Sequence, residues 1–457
     1  MKRFIDHIVL NIRKLNVSQI IIWSFLGIVL IGALLLWLPI SSRSGKSLGL
    51  ITALFTSTSA TCVTGLALGD TYCQWSIFGQ IVILSLIEIG GLGFMSIASL
   101  FFFSLKRKVD LKSMLVMAQS MGTENMEDVI RIQKKILLGG LLIEAIGAAI
   151  LSVRFVEQYS ISIPKAIWLG VFHSISAFCN AGFDLFGFEA PGSSLMLFQS
   201  DAVVLLTIAA LIIIGGIGFV VWDDLTSKKR PSKWTVYTKI VLLATVILIA
   251  FGTIVYMILE YENKDTIGSM PVAEKILNAF FQSVSTRTAG FAAIDQGKLT
   301  ETGKLVTILL MFIGGASGST AGGLKVATFV IIALFMVSRM RGQESVNVFS
   351  RRISEIHIMN ALCLFGMMAI LSFGGAMIIC GTSTFRFIDS LFETVSALAT
   401  VGLSTGVLSG VGIVSELLLI VYMFFGRIGI LTISMGFLQK TTKQEGIKYP
   451  EVNIPIG

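Results

Sequence analysis

The sequence predicts an all-α polytopic membrane protein in which four helix–pore loop–helix repeats surround a central ion pore with pseudo-fourfold symmetry. Three observations predict this fold: the composition is strongly apolar, eight runs are long enough to cross a bilayer, and one motif recurs four times. Of the 457 residues, 54% are hydrophobic and 14% are charged, whereas soluble chains carry about a quarter charged residues. The mean hydropathy of +0.85 also indicates a membrane protein.

Eight apolar runs have about the 20 residues needed to cross roughly 30 Å of hydrocarbon. They lie at 18–39, 76–104, 136–157, 201–222, 239–260, 303–338, 358–381 and 413–438, and the sixth is interrupted. A segment of moderate polarity joins the two runs of each pair, and a basic segment joins one pair to the next. The pairs therefore define four predicted repeats, at 18–104, 136–222, 239–338 and 358–438.

The basic residues fix the predicted orientation. Most of the 35 lysines and arginines fall in the two terminal segments and in the loops between pairs of runs. The positive-inside rule therefore places both termini, 1–17 and 439–457, in the cytoplasm. The net charge of +8 follows from this asymmetry and needs no nucleic-acid partner.

Four polar segments, one inside each pair of runs, share a pattern. They read FTSTSATCVTGLALGD (55–70), FHSISAFCNAGFDLFG (172–187), FQSVSTRTAGFAAID (281–295) and FETVSALATVGLSTG (392–406). Each segment begins with phenylalanine and reaches a glycine about ten residues later; these glycines are Gly65, Gly182, Gly290 and Gly402. The early half of each segment predicts a short pore helix, and the later half predicts an extended re-entrant stretch.

Four re-entrant segments predict a pore, because non-helical backbone at membrane depth is tolerated where it is buried in protein or lines a water-filled cavity. Glycine permits backbone angles closed to other residues, and a ring of carbonyl groups can replace the hydration shell of a cation. Thr64, Thr288 and Thr400 add hydroxyl groups at or near these turns. The predicted filter residues are Cys62, Val63, Thr64, Gly65, Asn180, Ala181, Gly182, Thr288, Ala289, Gly290, Thr400, Val401 and Gly402. The alternative, small-residue helix contacts, accounts for GGLGF and GGIGF in the later runs but not for the polar segments.

The interrupted sixth run contains IGGASGSTAGGLK, residues 313–325. Each glycine in a helix interior costs about 1 kcal/mol relative to alanine, so this cluster predicts a break. A broken helix at that depth is expected to line the cavity below the filter. We interpret the segment as a movable gate; a static kink packed on its neighbours is the alternative. The predicted gate residues are Gly314, Gly315, Ala316, Ser317, Gly318, Ser319, Thr320, Gly322 and Gly323.

Arg427 lies inside the last apolar run and is the final predicted gate residue. It occupies the place of a glycine in the three earlier repeats: Gly91, Gly216 and Gly315. An arginine in a membrane span costs at least about 2.5 kcal/mol, so it should face the pore or a partner such as Glu88 or Glu144. Extension to the membrane interface is the alternative, and it is also the interpretation for Lys325.

Charged residues near the filter have two interpretations each. Arg287 directly precedes Thr288 and is expected either to stiffen or orient the end of the pore helix or to pair with an outer acid such as Asp295. Four acids follow the filter glycines, and they either concentrate cations at the outer mouth or are solvated loop charges. These acids are Asp70, Asp184, Glu189 and Asp295.

The motifs TCVTGL, FCNAGF, STRTAGF and ATVGL, together with GGASGSTAGG and GRIG, resemble the Trk/Ktr/HKT superfamily of potassium transporters. The resemblance covers nearly the whole chain and is strongest to the membrane subunit of bacterial Ktr systems. It implies one filter glycine per loop, a gating loop at 313–325, and Arg427 projecting into the pore. Gly65, where some sodium-preferring plant relatives have serine, implies potassium selectivity. Asn180 departs from the threonine of loops three and four.

The same resemblance implies potassium uptake across a bacterial cell membrane by a homodimer with one pore per protomer. It also implies regulation by a cytosolic ring of RCK-type subunits that bind ATP or ADP, with no organic cofactor in this chain. A sodium- or proton-coupled potassium symporter of the same fold is the main alternative, and a sodium-selective channel is another. A membrane enzyme or scaffold is disfavoured, because there is no GxxxxGK[ST] motif, no histidine with catalytic companions and no paired cysteine motif.

Overall fold

The computed structural model describes residues 16–93, 129–227 and 230–429. Within these residues one order of elements occurs four times: a long helix, a short helix, an extended segment and a closing helix. The long helices are Val17–Trp37, Val129–Tyr159, Val236–Leu259 and Glu355–Thr382. The short helices are Leu50–Thr61, Ile163–Phe178, Val272–Ser285 and Phe387–Leu398. The closing helices, in chain order, are Ile77–Leu92, Ala202–Gly216, Glu301–Phe312 and Ile413–Ile428.

The long helices present large apolar side chains on the outer surface. Ile31, Leu142, Val246 and Ile370 are 61%, 62%, 65% and 74% exposed. The short helices carry the opposite pattern, since their serine and threonine side chains are buried inside the protein. Large apolar side chains on the outer surface, with hydroxyl groups buried inside, are expected where hydrocarbon rather than water is the surrounding solvent.

The predicted count of eight spans stays a prediction. By length and composition, the four long helices of the described ranges can each cross a bilayer, and one bent pair of helices makes a fifth candidate. The closing helices have only 12 to 16 residues. The ends of two predicted spans, at 94–104 and 430–438, lie outside the described residues, as do most of the predicted cytoplasmic termini.

The apolar run predicted at 201–222 is bent in the structure. Helices Ala202–Gly216 and Phe219–Thr226 meet at an angle of 97°. The break occurs at Gly218, whose φ of +92° is disfavoured for residues with a side chain. Gly93 and Gly429 hold the same motif position, have φ of +84° and +92°, and also end their helices. The last glycine of this motif therefore terminates a helix instead of packing inside one.

The third pair of runs is divided in the structure. Helix Glu301–Phe312 ends before the non-helical residues 313–325, and a further helix, Val326–Met340, follows. A two-stranded antiparallel ribbon, Asn347–Val348 with Arg351–Arg352, then leads into the last long helix. The sixth apolar run therefore consists of two helices separated by a non-helical segment.

Each short helix packs against a glycine of its long helix through the third residue of the recurring motif. A Cβ added at these glycines would collide with the side chain of Ser57, Ser174, Ser283 or Thr394. The glycines are Gly32, Gly147, Gly252 and Gly375. The serine hydroxyls donate to long-helix carbonyls, as Ser57 Oγ does to Val29 O at 2.7 Å. Close packing of this kind needs a residue without a side chain.

We predict that Gly375→Ala lowers stability while its neighbour Gly374→Ala does not. A Cβ at Gly375 would lie 2.6 Å from the Tyr422 ring and 2.7 Å from Thr394 Cγ2, whereas a Cβ at Gly374 meets nothing within 4 Å. Overpacking should lower the free energy of unfolding by about 1–3 kcal/mol. Thermal unfolding in detergent measures the difference, and equal melting temperatures for the two variants would contradict the packing argument.

Candidate functional site

The four motif glycines lie against one another in a closed ring. A Cβ built on Gly65 would lie 3.1 Å from the Cα of Gly182, and one on Gly182 would lie 2.9 Å from the Cα of Gly290. The corresponding distance from Gly290 to Gly402 is 3.1 Å, and that from Gly402 back to Gly65 is 3.0 Å. The ring therefore closes in chain order, with backbone facing backbone and no room for a side chain.

Each ring glycine has positive φ, and so does the residue two positions before it. The glycines have φ of +94°, +69°, +78° and +95° in chain order. The earlier positive-φ residues are Val63, Asn180, Thr288 and Thr400, at +56°, +59°, +69° and +51°. A positive φ at a β-branched residue is uncommon and persists only where the surrounding structure holds it. The glycine angles match the sequence prediction, but these strained neighbours were not foreseen.

The backbone angles give the predicted filter residues a different register in the first loop. Val63, rather than Thr64, is the counterpart of Asn180, Thr288 and Thr400. Thr64 instead matches the middle residues Ala181, Ala289 and Val401, so its hydroxyl lies one position later than those of Thr288 and Thr400. Cys62 is the C-cap of its short helix, ahead of the positive-φ residues. All these side chains are buried.

A serine of each short helix holds the ring segment in place, a role that the sequence analysis missed. These serines are Ser59, Ser176, Ser285 and Ser396, the fifth residue of each motif. The N–H of the middle residue donates to the carbonyl of this serine in all four loops, at 2.7–3.0 Å. The hydroxyls add bonds: Ser176 Oγ donates to Phe183 O at 2.7 Å and Ser396 Oγ to Leu403 O at 2.6 Å. The recurrence of Fx[ST]xS was the available signal, because its final serine never varies.

The closing helices approach the carboxyl ends of the short helices through glycine. A Cβ at Gly90, Gly215 or Gly426 would collide with a main-chain carbonyl in the last turn of a short helix. The carbonyls are those of Thr61, Phe178 and Leu398, respectively. The helix-contact interpretation of the closing-helix glycines is therefore correct at these positions, while the ring glycines make contacts between loops.

Residues 313–325 lie directly beneath the ring and against the break in the second closing helix. A Cβ at Gly322 would collide with Thr400 Oγ1, and Thr320 Oγ1 donates to Phe178 O at 3.2 Å. Ala316 N donates to Gly216 O at 3.0 Å, and Phe219 N donates to Gly318 O at 2.8 Å. The segment also closes on itself, since Gly314 N donates to Leu324 O at 2.8 Å. It therefore links the ring to a second broken helix.

Arg427 holds the segment beneath the ring to the first closing helix. Its guanidinium donates to Thr320 O and Gly90 O, and to Gly91 O at 3.2 Å. The expected partnership with Glu88 or Glu144 is not what these bonds show, because all three acceptors are main-chain carbonyls. Terminal helix carbonyls lack intrahelical partners, and a cationic donor satisfies them well.

The two acids form a separate buried cluster. Ligand atoms of Glu88, Glu144 and Cys179 lie within 4.8 Å of one another, and Cys179 Sγ is 3.5 Å from Glu88 Oε2. The cluster joins the first closing helix to the second long and short helices. Lys325, for which extension to the interface was expected, donates to Ala321 O at 2.7 Å within the segment beneath the ring.

Among the described residues Arg287 forms no ion pair with Asp295, so the pairing named as the example of that alternative is wrong. Asp295 accepts from Gly297 N at 2.9 Å and lies 3.9 Å from Lys298 Nζ. Arg287 is 8% exposed, follows the short helix in the place of Cys62, and lines a small cavity with Asn180. A cation at the carboxyl end of a helix interacts favourably with its dipole, as the first interpretation of Arg287 expects.

Three of the four outer acids accept hydrogen bonds from backbone N–H groups of the outer loops. Asp70 accepts from Cys73 N at 2.8 Å and from Gly192 N at 2.9 Å. Asp184 accepts from Phe186 N at 3.2 Å. Burial raises the pKa of the Asp184 carboxyl to about 6, and the Phe186 hydrogen bond opposes this rise. Glu189, the fourth acid, is exposed.

The chain is similar throughout to known cation transport proteins. Residues 6–446 match the family TrkH, described as a cation transport protein. The chain is 39% identical over 450 residues to the potassium/sodium uptake protein NtpJ of Enterococcus hirae, covering 97% of this chain and 98% of that one. It is also 39% identical over 439 residues to Ktr system potassium uptake protein B of Bacillus subtilis, covering 96% of each. The crystal structure of the potassium transporter TrkH from Vibrio parahaemolyticus has the same fold, with a TM-score of 0.71, 17% identity and coverage of 91% of this chain and 84% of that chain.

We predict that Arg427→Gln loosens the segment beneath the ring. Loss of the cationic donor to Thr320 O should raise amide hydrogen exchange within 313–325 about tenfold or more. Exchange mass spectrometry in detergent measures this change. Arg386→Gln is the control, because Arg386 is exposed and pairs only with Glu301 at the surface. Equal exchange in the two variants would contradict the proposed bracing.

Proposed function

The chain belongs to the TrkH family of cation transport proteins, and from that premise we propose that it carries potassium ions into the cell through the ring of four glycines. Its family consists of ion transporters, so the expectation that the chain is not an enzyme is confirmed. The observation that carries the proposal is the closed glycine ring with positive φ at alternate positions of every loop.

The ring supports cation selection through its main-chain carbonyls. In ordinary extended backbone the carbonyl groups of successive residues point to opposite sides of the chain. Where the sign of φ changes from one residue to the next, they no longer do so. Carbonyls of neighbouring residues can then face one axis and replace an ion's hydration shell. The four short helices also end at this ring, so the negative ends of their dipoles favour a cation there. Both effects act through backbone, which agrees with the lack of carboxylates among the ring residues.

We further propose that residues 313–325 and Arg427 form the gate. Support comes from their position directly beneath Thr400 and from the guanidinium that holds Thr320 O and Gly90 O. A positive charge beside a cation path is an electrostatic barrier, and movement of the glycine-rich segment would shift it. Gly318 and Gly323, at φ of +65° and +67°, give this segment conformations that few other residues adopt.

Sodium is the second ion to consider, because one relative is named a potassium/sodium uptake protein. In our proposal potassium is the main cargo, since the first ring position is Gly65 and two relatives are named potassium uptake proteins. The coupled-symporter alternative from the sequence analysis predicts that potassium uptake requires sodium or a proton gradient. Ion dependence of uptake separates these two mechanisms.

The name of the Bacillus subtilis relative includes a Ktr system, which supports the proposal that this chain works together with partner subunits. We propose that this chain is the membrane subunit, forms a homodimer in the bacterial cell membrane and keeps both termini in the cytoplasm. A cytosolic RCK-type ring that binds ATP or ADP would regulate it. These assignments follow from the family resemblance and from the basic segments between the paired runs.

We predict that Gly290→Ser abolishes selective uptake while Gly412→Ser preserves it. Serine at Gly290 would need φ of +78° and would crowd Gly402, whose Cα lies 3.1 Å from the added Cβ. A Cβ at Gly412 meets nothing within 4 Å. The measurement is growth at low potassium of a strain without its own potassium uptake, with the cytosolic RCK-type subunit present and the sodium concentration varied. Failure of the inserted wild-type protein to rescue growth would refute the proposal.

We predict that removing residues from Gly314–Gly323 raises flux without changing selectivity. The segment beneath the ring would be shortened, while the ring segments would keep their serine bonds. Rubidium uptake into proteoliposomes, with sodium as competitor, measures flux and preference separately. Unchanged flux at equal protein insertion would show that this segment is not the gate.

A further inference from the structure

Glu393 is a fully buried carboxylate with a concentrated set of hydrogen bonds behind the fourth ring loop. Its side chain has no exposed surface. Its Oε1 accepts from Ser404 Oγ at 2.8 Å, from Thr405 N at 2.8 Å and from Thr405 Oγ1 at 3.1 Å. Within the described ranges, Oε2 has no hydrogen-bond partner. A buried acid is costly unless its hydrogen bonds compensate, so one oxygen carries that compensation here.

These bonds fix the backbone that leaves the ring. Residues 403–405 directly follow Gly402, and Glu393 binds the far end of this stretch. Ser396, three residues later on the same helix, accepts from Gly402 N at 3.1 Å and donates to Leu403 O at 2.6 Å. Residues three apart lie on one helix face. One face of the short helix therefore holds the chain at Gly402 and again at Thr405.

The position of Glu393 is used in the same way in two other loops, with different chemistry. Glu393 is the second residue of its motif, and His173 and Gln282 are its counterparts. His173 Nε2 accepts from Leu185 N at 3.1 Å, beyond the second ring glycine. Gln282 exchanges two hydrogen bonds with Gln296, at 2.6 and 3.0 Å, beyond the third. Because the second motif residue binds the chain beyond the ring glycine in three of the four loops, a positioning role for this residue is a feature of the repeat.

The neighbouring lysine does not supply Glu393 with a counter-charge. Lys304 Nζ pairs with Asp389 Oδ1 at 2.8 Å, one turn before Glu393, and donates no bond to Glu393. The three hydroxyl and amide donors are therefore what hold the Glu393 carboxylate. Conversely, removal of the Glu393 acceptor would leave Thr405 N and two hydroxyls without their partner at the exit of the ring.

We propose that Glu393 is a positioning residue for ion selection: by accepting from Ser404 and Thr405 it fixes the backbone at Gly402 and so sets the preference for potassium over sodium. This inference rests on the proposed function. The geometry assigns the role to the acceptor oxygen Oε1, so an isosteric residue that keeps that oxygen should keep the preference.

The test compares Glu393→Leu, Glu393→Gln and Thr394→Val in proteoliposomes, with potassium and sodium uptake measured per inserted protein. Thr394→Val is the matched control, because Thr394 is equally buried and its hydroxyl donates only to Ser390 O in its own helix. We expect Glu393→Leu to lower the potassium-over-sodium preference about tenfold or more, since all three hydrogen bonds that Oε1 accepts are lost. Glu393→Gln and Thr394→Val should stay within about twofold of the wild type, because neither removes the acceptor.

Two outcomes would overturn the proposal. If Glu393→Leu keeps the wild-type preference and only lowers the amount of folded protein, Glu393 is merely structural. If Glu393→Gln loses as much preference as Glu393→Leu, charge rather than the acceptor oxygen is what matters. Loss of preference in Glu393→Leu alone supports the inference.

A second variant keeps the test decisive if Glu393→Leu does not insert. Ser404→Ala combined with Thr405→Val removes the two hydroxyl donors but leaves Glu393 and the Thr405 amide in place. It should lower the preference several-fold, and an unchanged preference would refute the inference. The wild-type measurement separates the two proposals: absence of potassium uptake refutes the proposed function, whereas selective uptake that none of these changes alters refutes only the role of Glu393.

Discussion

Backbone in an unusual conformation at the four ring glycines is the constraint from which most of the structure follows. Glycine adopts positive φ readily, but positive φ at the residue two positions before each ring glycine costs energy that has to be offset nearby. The serine at motif position five does this in each loop by accepting the N–H of the middle residue. These serines lie on the short helices. Glycines in the long and closing helices allow close packing against the short helices, which holds them in place.

A repeated plan makes its exceptions informative. Arg287 stands where the other loops have Cys62, Cys179 and Ala399, and Arg427 stands where the other closing segments have glycine. Within the described residues, the third closing helix is followed by a long non-helical segment, which contacts the end of the second short helix at Phe178 and the fourth loop at Thr400. Of these departures from the repeat, Arg427 and the non-helical segment are the elements that our proposal assigns to the gate.

Polar groups of the interior are satisfied chiefly by main-chain partners. Arg427 binds three carbonyls, Lys325 binds the Ala321 carbonyl, and the short-helix serines bind carbonyls of the long helices. Water is scarce at this depth, so each unpaired carbonyl or amide would cost several kcal/mol. Pairing side chains with backbone rather than with acids leaves the ring itself free of fixed negative side chains.

The sequence by itself determined the membrane class, the fourfold motif and the four ring glycines, because apolar run length and a recurring Fx[ST]xS…G pattern are local properties. It also placed Arg427 and 313–325 as exceptions to the repeat. Only the tertiary structure decided the partners of Arg427, the register of Thr64, the bend at Gly218 and the convergence of Ser404 and Thr405 on Glu393. Each of these depends on which distant segments meet, and spacing along one chain does not specify that. The positive φ at Val63 and Thr400 also escaped prediction, since the packed structure holds these β-branched residues in a conformation that their local preference opposes.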